Sequence, residues 1–222
     1  MRNDDRRMQI LEAAVRIIGR DGPGAVTHRA VAAEAGVPLA ATTYYFSSKE
    51  ALFNEALVLS VQPDLVELES LIGSAPSRIG SVESFANEIA RFLVLQLRRR
   101  RTTVVAQYEL ELEAARVPAL RSAARASTNA YIRLCTVMFE RAGSSDAAGD
   151  ARLLVALMDG LLLDQLSAPQ PRSFTVDAVA LQIRRFIEGL LGGAGPPGGG
   201  AGEAGAVSAH EDGRDRPPLR HG

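Results

Sequence analysis

The chain has 222 residues, 46% of them hydrophobic, which is enough to bury one large core or two smaller ones that share it. A net charge of −1 and a mean hydropathy of +0.02 give no bulk attraction to nucleic acid or to a membrane surface. Cys135 is the only cysteine and two of the three histidines, His210 and His221, lie at the far C-terminal end, so disulfide and Cys/His metal chemistry are excluded and neither metal nor cofactor is expected.

From Met1 to Arg7 the chain is charged, without the apolar core of a leader peptide, and no later apolar run reaches the roughly 18 residues that cross a bilayer. A cytoplasmic protein without membrane contact is therefore expected. Asp4 to Arg20 reads as an amphipathic helix, with Ile10, Leu11, Ala14, Val15, Ile17 and Ile18 on one face. Asp21-Gly22-Pro23-Gly24 stops it. Thr27 is placed to cap a helix over 27–35, and Gly36 to end that helix in the left-handed conformation. Pro38 suits the first turn of a short helix over 38–45, and Ser47 or Ser48 caps the next one. Pro63 is expected to break or kink that helix. Further helices are predicted over 64–72, 82–99, 102–115, 118–142, 146–167 and 174–191, with breakers between them and no alternating β-branched segment. The fold class is all-α, with about nine helices. From Gly192 onward Gly and Pro dominate, and residues 193–222 read as a disordered tail.

Residues 27–46 have the geometry of a helix-turn-helix: two short helices, a tight Gly36-Val37 turn, and a second helix that fits a major groove. Val31 and Ala35 face a core. Ala40, Ala41, Thr42 and Thr43 are small enough for the backbone to sit deep, and Tyr44, Tyr45 and Phe46 follow as an aromatic cluster. Residues 6–66 resemble the N-terminal domain of the TetR family of transcriptional regulators. The resemblance is carried by Ile10-Leu11-Glu12-Ala13-Ala14, by Thr27 to Val37, and by Thr43-Tyr44-Tyr45-Phe46 followed by Ser48-Lys49-Glu50-Ala51-Leu52. It implies that Thr27 and Lys49 contact phosphates, that Tyr44 contacts the DNA backbone, and that Arg29 reaches a base edge or a phosphate. It also implies that Pro38, Leu39, Ala40 and Thr43 face the bases of double-stranded DNA. Pro38 and Ala40 replace the family's common small polar residue and glycine, and Tyr45 its frequent histidine. The reading helix therefore has few polar side chains, and specificity should lean on Arg29, Thr43, thymine methyl contacts and DNA shape.

The expected organisation is a reading domain over 1–60, a helical body over 61–192 and the tail over 193–222. A helix-turn-helix that reads a palindromic operator needs a two-fold partner. Leu154, Leu157, Met158 and Leu161 on one helix, with Ile183, Phe186, Ile187 and Leu190 on the last, are the candidate homodimer interface. The resemblance implies that these helices pair with their copies in a four-helix bundle. It also implies a cavity for an unidentified small-molecule effector, with Phe92, Gln96, Gln107, Tyr108, Glu111, Tyr131 and Met138 as candidate lining. The function so implied is a repressor released from its operator by that effector, through the helix from Ser48 toward Ile72 as a lever. Two alternatives stay open: a DNA-binding regulator without a ligand, and a helical enzyme using Glu109, Glu111 and Glu113, although no catalytic set with histidine is available.

Overall fold

The computed structural model describes residues 3–73, 81–168 and 173–192. Among them are eight α-helices and two short 3-10 turns, and no strand. The tail expected over 193–222 lies outside the described residues.

Helix α1 (Asn3–Asp21) opens with Asp4 and Asp5 and closes with Arg20, which suits the helix dipole at both ends. Its buried face is Ile10, Leu11, Ala14, Val15, Ile17 and Ile18. Gly22, at φ 81°, turns the chain out of α1 into the first 3-10 turn, Pro23–Ala25. Arg16 and Arg20 both pair with Glu34, at 2.9 and 3.3 Å, and fix α1 against α2 (His28–Ala35). Thr27 caps α2 by accepting from the Ala30 N–H at 3.1 Å, and Gly36 ends it at φ 66°. Helix α3 (Leu39–Tyr45) starts one residue later than expected, because Pro38 stays extended at ψ 143°.

Ser48 caps α4 (Lys49–Gly73), its hydroxyl oxygen accepting from the Ala51 N–H at 3.1 Å. The expected break at Pro63 does not occur. The residue is exposed, and burial of Ser60, Val61, Asp64 and Leu68 holds the helix on either side of the missing hydrogen bond. The domain boundary expected near residue 60 consequently falls inside an unbroken helix. The two helices expected over 82–99 and 102–115 are likewise one, α5 (Val82–Arg116), kinked where Arg100 leaves helical geometry at φ −132°, ψ 25°. These two mergers turn the ten predicted segments into eight helices among the described residues, against a total of about nine expected.

The body is completed by α6 (Arg121–Arg141), α7 (Ala147–Ser167) and α8 (Val176–Gly192). Helix α5 is its axis, packed against α1, α4 and α8, while α6 and α7 pair with each other. No described helix is long and apolar enough to cross a membrane.

Candidate nucleic-acid interface and buried cavity

The α2–α3 unit is held from behind. Thr42 is buried and its hydroxyl donates to the Leu39 carbonyl at 2.8 Å. Phe46, at the C-terminal end of α3, is 1% exposed in the core shared with α1 and α4, and the Arg7 guanidinium lies 5.4 Å from its ring centre. Arg7 also pairs with Glu55 of α4, so it belongs to this anchor and not to a free N-terminal arm.

The front of the unit is open. Thr27, Arg29, Pro38, Leu39, Ala40, Thr43, Tyr44 and Lys49 are all exposed. Leu39 is 47% and Tyr44 76% exposed, large apolar surfaces that folding leaves in water while Thr42 and Phe46 beside them are buried. Thr27 and Lys49 border one surface cleft with Val26, His28 and Leu52, so the two residues expected to meet phosphates lie side by side although 22 positions apart in the chain. The Thr43 hydroxyl donates to the Ala40 carbonyl at 3.2 Å, which keeps its oxygen turned along the helix. The Lys49 ammonium rests 5.0 Å above the Phe53 ring, and Tyr44 stands edge-on to Tyr45 at 5.0 Å. Face and charge suit a polyanion: exposed cations, hydroxyls and an aromatic, on small-residue helices.

A cavity lies in the body between α5, α6 and α7. Six of the seven expected residues line it: Phe92, Gln96, Gln107, Tyr108, Glu111 and Tyr131. Met138 does not; it borders a separate surface cleft with Phe85 and Ile187, because its place on α6 turns it toward α5 and α8. The lining missed from sequence is Thr128, Val155, Met158, Asp159 and Leu162. Asp159 had a legible signal, being the only charge between Arg152 and Asp164 in a run of apolar residues. The free interior is about 30 Å³ for water-sized spheres, within an envelope of about 410 Å³ that opens to solvent. That interior holds a water or two and no larger molecule without widening.

Burial dominates the electrostatics of this cavity. It pushes the Glu111 carboxyl up to about 7, against the partial relief of a 3.0 Å hydrogen bond from Gln107. It raises Asp159 as well, opposed only by the Tyr108 hydroxyl, which donates to it at 3.0 Å. A third carboxylate, Asp64 of α4, stands behind the wall with its side chain 3% exposed. Burial raises it too, and here the Arg100 guanidinium at 2.7 Å opposes the shift. Gln96 hydrogen-bonds Asp64, and the Tyr131 hydroxyl donates to it at 3.4 Å. Two cavity residues thus bond directly to the helix that leads to the reading face, a connection the sequence did not reveal. Burial pushes the Cys135 thiol up to about 12, which makes it an inert core group. Glu109 and Glu113 do not line the cavity, so the three-carboxylate arrangement is not assembled.

The expected interface residues divide. Leu154, Met158, Ile183 and Ile187 are buried within the chain, and Met158 lines the cavity; their helical phase turns them toward the body. Leu157, Leu161, Phe186 and Leu190 are partly buried at its edge. The exposed apolar side chains on the two helices are instead Leu153, Leu163 and Leu181. Because α7 is apolar on nearly every side, sequence alone did not separate its core face from its outer one.

Comparison with known proteins agrees with this geometry. A family model for bacterial regulatory proteins of the TetR family matches residues 10–56, and a model for tetracycline repressor-like C-terminal domains matches residues 80–193. The HTH-type nicotine-responsive transcriptional repressor HdnoR of Paenarthrobacter nicotinovorans is 27% identical over 170 residues, covering 74% of this chain and 86% of its own. A TetR-family structure from Streptomyces coelicolor A3 is 32% identical at a TM-score of 0.67, covering 82% of this chain and 98% of its own. The multidrug binding protein EbrR complexed with ethidium is also 32% identical, at a TM-score of 0.64 over the same shares. With a reading head of this shape at one end and a matching helical body behind it, the chain belongs to the TetR family of DNA-binding transcriptional regulators.

Proposed function

We propose that this regulator is a homodimeric repressor that leaves a palindromic operator when a small molecule enters the cavity between α5, α6 and α7. The observation that carries the DNA half is the exposed face of Thr27, Arg29, Leu39, Thr43, Tyr44 and Lys49, with Leu39 and Tyr44 left in water although the core beside them is close-packed. The effector half is supported by the nicotine-responsive name of one relative and the ethidium complex of another. The reading head corresponds to residues 1–60, the body to 61–192, and α4 to the arm between them. The two-fold partner docks on the outer faces of α7 and α8, through Leu153, Leu157, Leu161, Leu163, Leu181 and Phe186, and the protein works in the cytoplasm.

The cavity is too small for an effector as it stands. A ligand that fits only a widened cavity binds one conformation and shifts the population toward it. The route to the DNA is Asp64: a ligand that takes the Tyr131 hydroxyl or the Gln96 amide removes hydrogen bonds from α4. Tyr131→Phe is expected to leave operator affinity within a few-fold and to weaken the effector response by about 1 kcal/mol, or roughly fivefold. An unchanged response in a titration of operator occupancy against effector rules this route out.

The decisive experiment is a footprint on DNA flanking the protein's own gene, at about 0.1 M salt, repeated with candidate compounds. The expected result is two protected half-sites about 10 base pairs apart, or a multiple of that. Arg29→Ala is expected to cost about 1–3 kcal/mol of affinity there. Absence of protection at any flanking sequence overturns the DNA half. Protection that no compound relieves leaves a regulator without an effector.

A further inference from the structure

We propose that the cavity takes an organic cation: an aromatic or lipophilic molecule with one positive charge, seated against Tyr108, Tyr131 and Phe92 and held between Glu111 and Asp159. This rests on the reading of the cavity as the effector site, and narrows it to a chemical class. The lining contains two carboxylates and three aromatic rings, and no lysine, arginine or histidine. An anion entering here would lose its water and meet only negative charge. A neutral ligand would leave both carboxylates without a counter-charge in a poorly solvated wall, where an uncompensated charge is costly.

Asp64 shows how this protein treats a buried carboxylate that needs no ligand. It has Arg100 at 2.7 Å, with Gln96 and Tyr131 as further partners. Glu111 and Asp159 are treated differently. Their partners are the neutral Gln107 amide and Tyr108 hydroxyl, and among the described residues no cationic group pairs with either. The fold supplies a cation where the wall is closed and withholds it where the cavity opens. Aromatic rings lining the same cavity as the two carboxylates offer an organic cation a second attraction, and one that favours a flat, delocalised charge.

Proton linkage follows from the same arrangement. The groups that face Glu111 are Gln107 and Tyr108 from α5, Tyr131 from α6 and Asp159 from α7, with Asp64 and its Arg100 beyond Tyr131 toward α4. None of the cavity-lining groups is cationic, so the empty site holds a proton on Glu111 up to about pH 7. A bound cation displaces that proton. Affinity for a fixed-charge ligand therefore rises with pH and levels off once Glu111 is ionised in the empty protein.

Ethidium, whose charge does not titrate, is a suitable probe, with fluorescence read on the protein alone because the dye also binds DNA. Its affinity is expected to rise about tenfold from pH 5.5 to pH 7.5. Glu111→Gln is expected to weaken binding about tenfold at pH 7.5 and to abolish the pH dependence; Asp159→Asn is expected to weaken binding and keep that dependence. Anilinonaphthalene sulfonate, an aromatic anion, is expected to bind at least tenfold more weakly than ethidium. A thermal melt of Glu111→Gln at pH 7.5, expected at or above wild type because it removes a buried charge, separates lost binding from lost folding. Equal binding of both dyes, no binding of ethidium, or ethidium binding indifferent to both substitutions overturns the proposal. If operator is then released by a neutral or anionic compound, only the cationic class is lost; if no compound of any charge changes operator occupancy, the effector reading fails with it.

Discussion

Phe46→Ala is expected to abolish operator binding without removing any group that faces the DNA. The Phe46 ring is 1% exposed, ends α3, and sits beneath the Arg7 guanidinium that Glu55 holds in place. Truncating a buried phenylalanine to alanine costs about 3–5 kcal/mol, through lost transfer energy and the void left behind. In this small reading head that is a large share of the local stability, so α3 loses its fixed angle to α2. Operator affinity is expected to fall more than a hundredfold in a gel-shift titration, since a displaced reading helix loses several contacts together. Ethidium binding in the body is expected to persist, and Phe46→Leu to recover most of the operator affinity. An alanine variant that still binds within threefold of wild type shows that α3 is positioned by its hydrogen bonds and by Thr42, and that the aromatic anchor is dispensable.

Gly19→Ala is expected to destabilise the protein, against the usual effect of that substitution inside a helix. Alanine is favoured over glycine in a helix interior by about 1 kcal/mol. At Gly19, however, an added Cβ would lie 2.0 Å from the Thr102 carbonyl oxygen and 2.7 Å from its Cγ2. The carbonyl is backbone of α5, two residues beyond the Arg100 kink, and cannot swing aside as a side chain would. Forcing α1 away from α5 is expected to cost a net amount of about 1–3 kcal/mol, a drop of several degrees in Tm for a chain of this size. Gly189→Ala in α8 is the matched control: nothing lies within 4 Å of its added Cβ, and its Tm is expected to hold or rise. If Gly19→Ala also raised Tm, the close approach of α1 to α5 would be wrong. The contact joins the reading head to the body, so the same variant should shift operator affinity in the absence of any ligand.

Much of the reading head was legible because its determinants are local. The Thr27 cap, the left-handed Gly36 and the cap at Ser48 each act within four residues of themselves, and the structure has all three where their chemistry put them. The break considered at Pro63 does not occur because the outcome is not local: propensity alone favours a break, while burial of Val61 and Asp64 keeps the helix continuous. The cavity was legible in part. Phe92, Gln96, Gln107, Tyr108, Glu111 and Tyr131 stand on α5 and α6, whose polar and apolar faces are distinct, but α7 is apolar almost all round, so its contribution of Val155, Met158 and Leu162 stayed hidden and only the lone charge of Asp159 marked that face.

The sequence by itself determined an all-α chain with a helix-turn-helix at 27–46, since periodicity, caps and turn residues act over a few positions and need no tertiary context. Only the tertiary structure decided three further features. It set Gly19 against Thr102, put Thr27 beside Lys49, and gave Asp64 the counter-ion that Glu111 and Asp159 lack. Each depends on which faces of distant helices meet. Helical periodicity tells which residues share a face, and packing alone selects the face opposite.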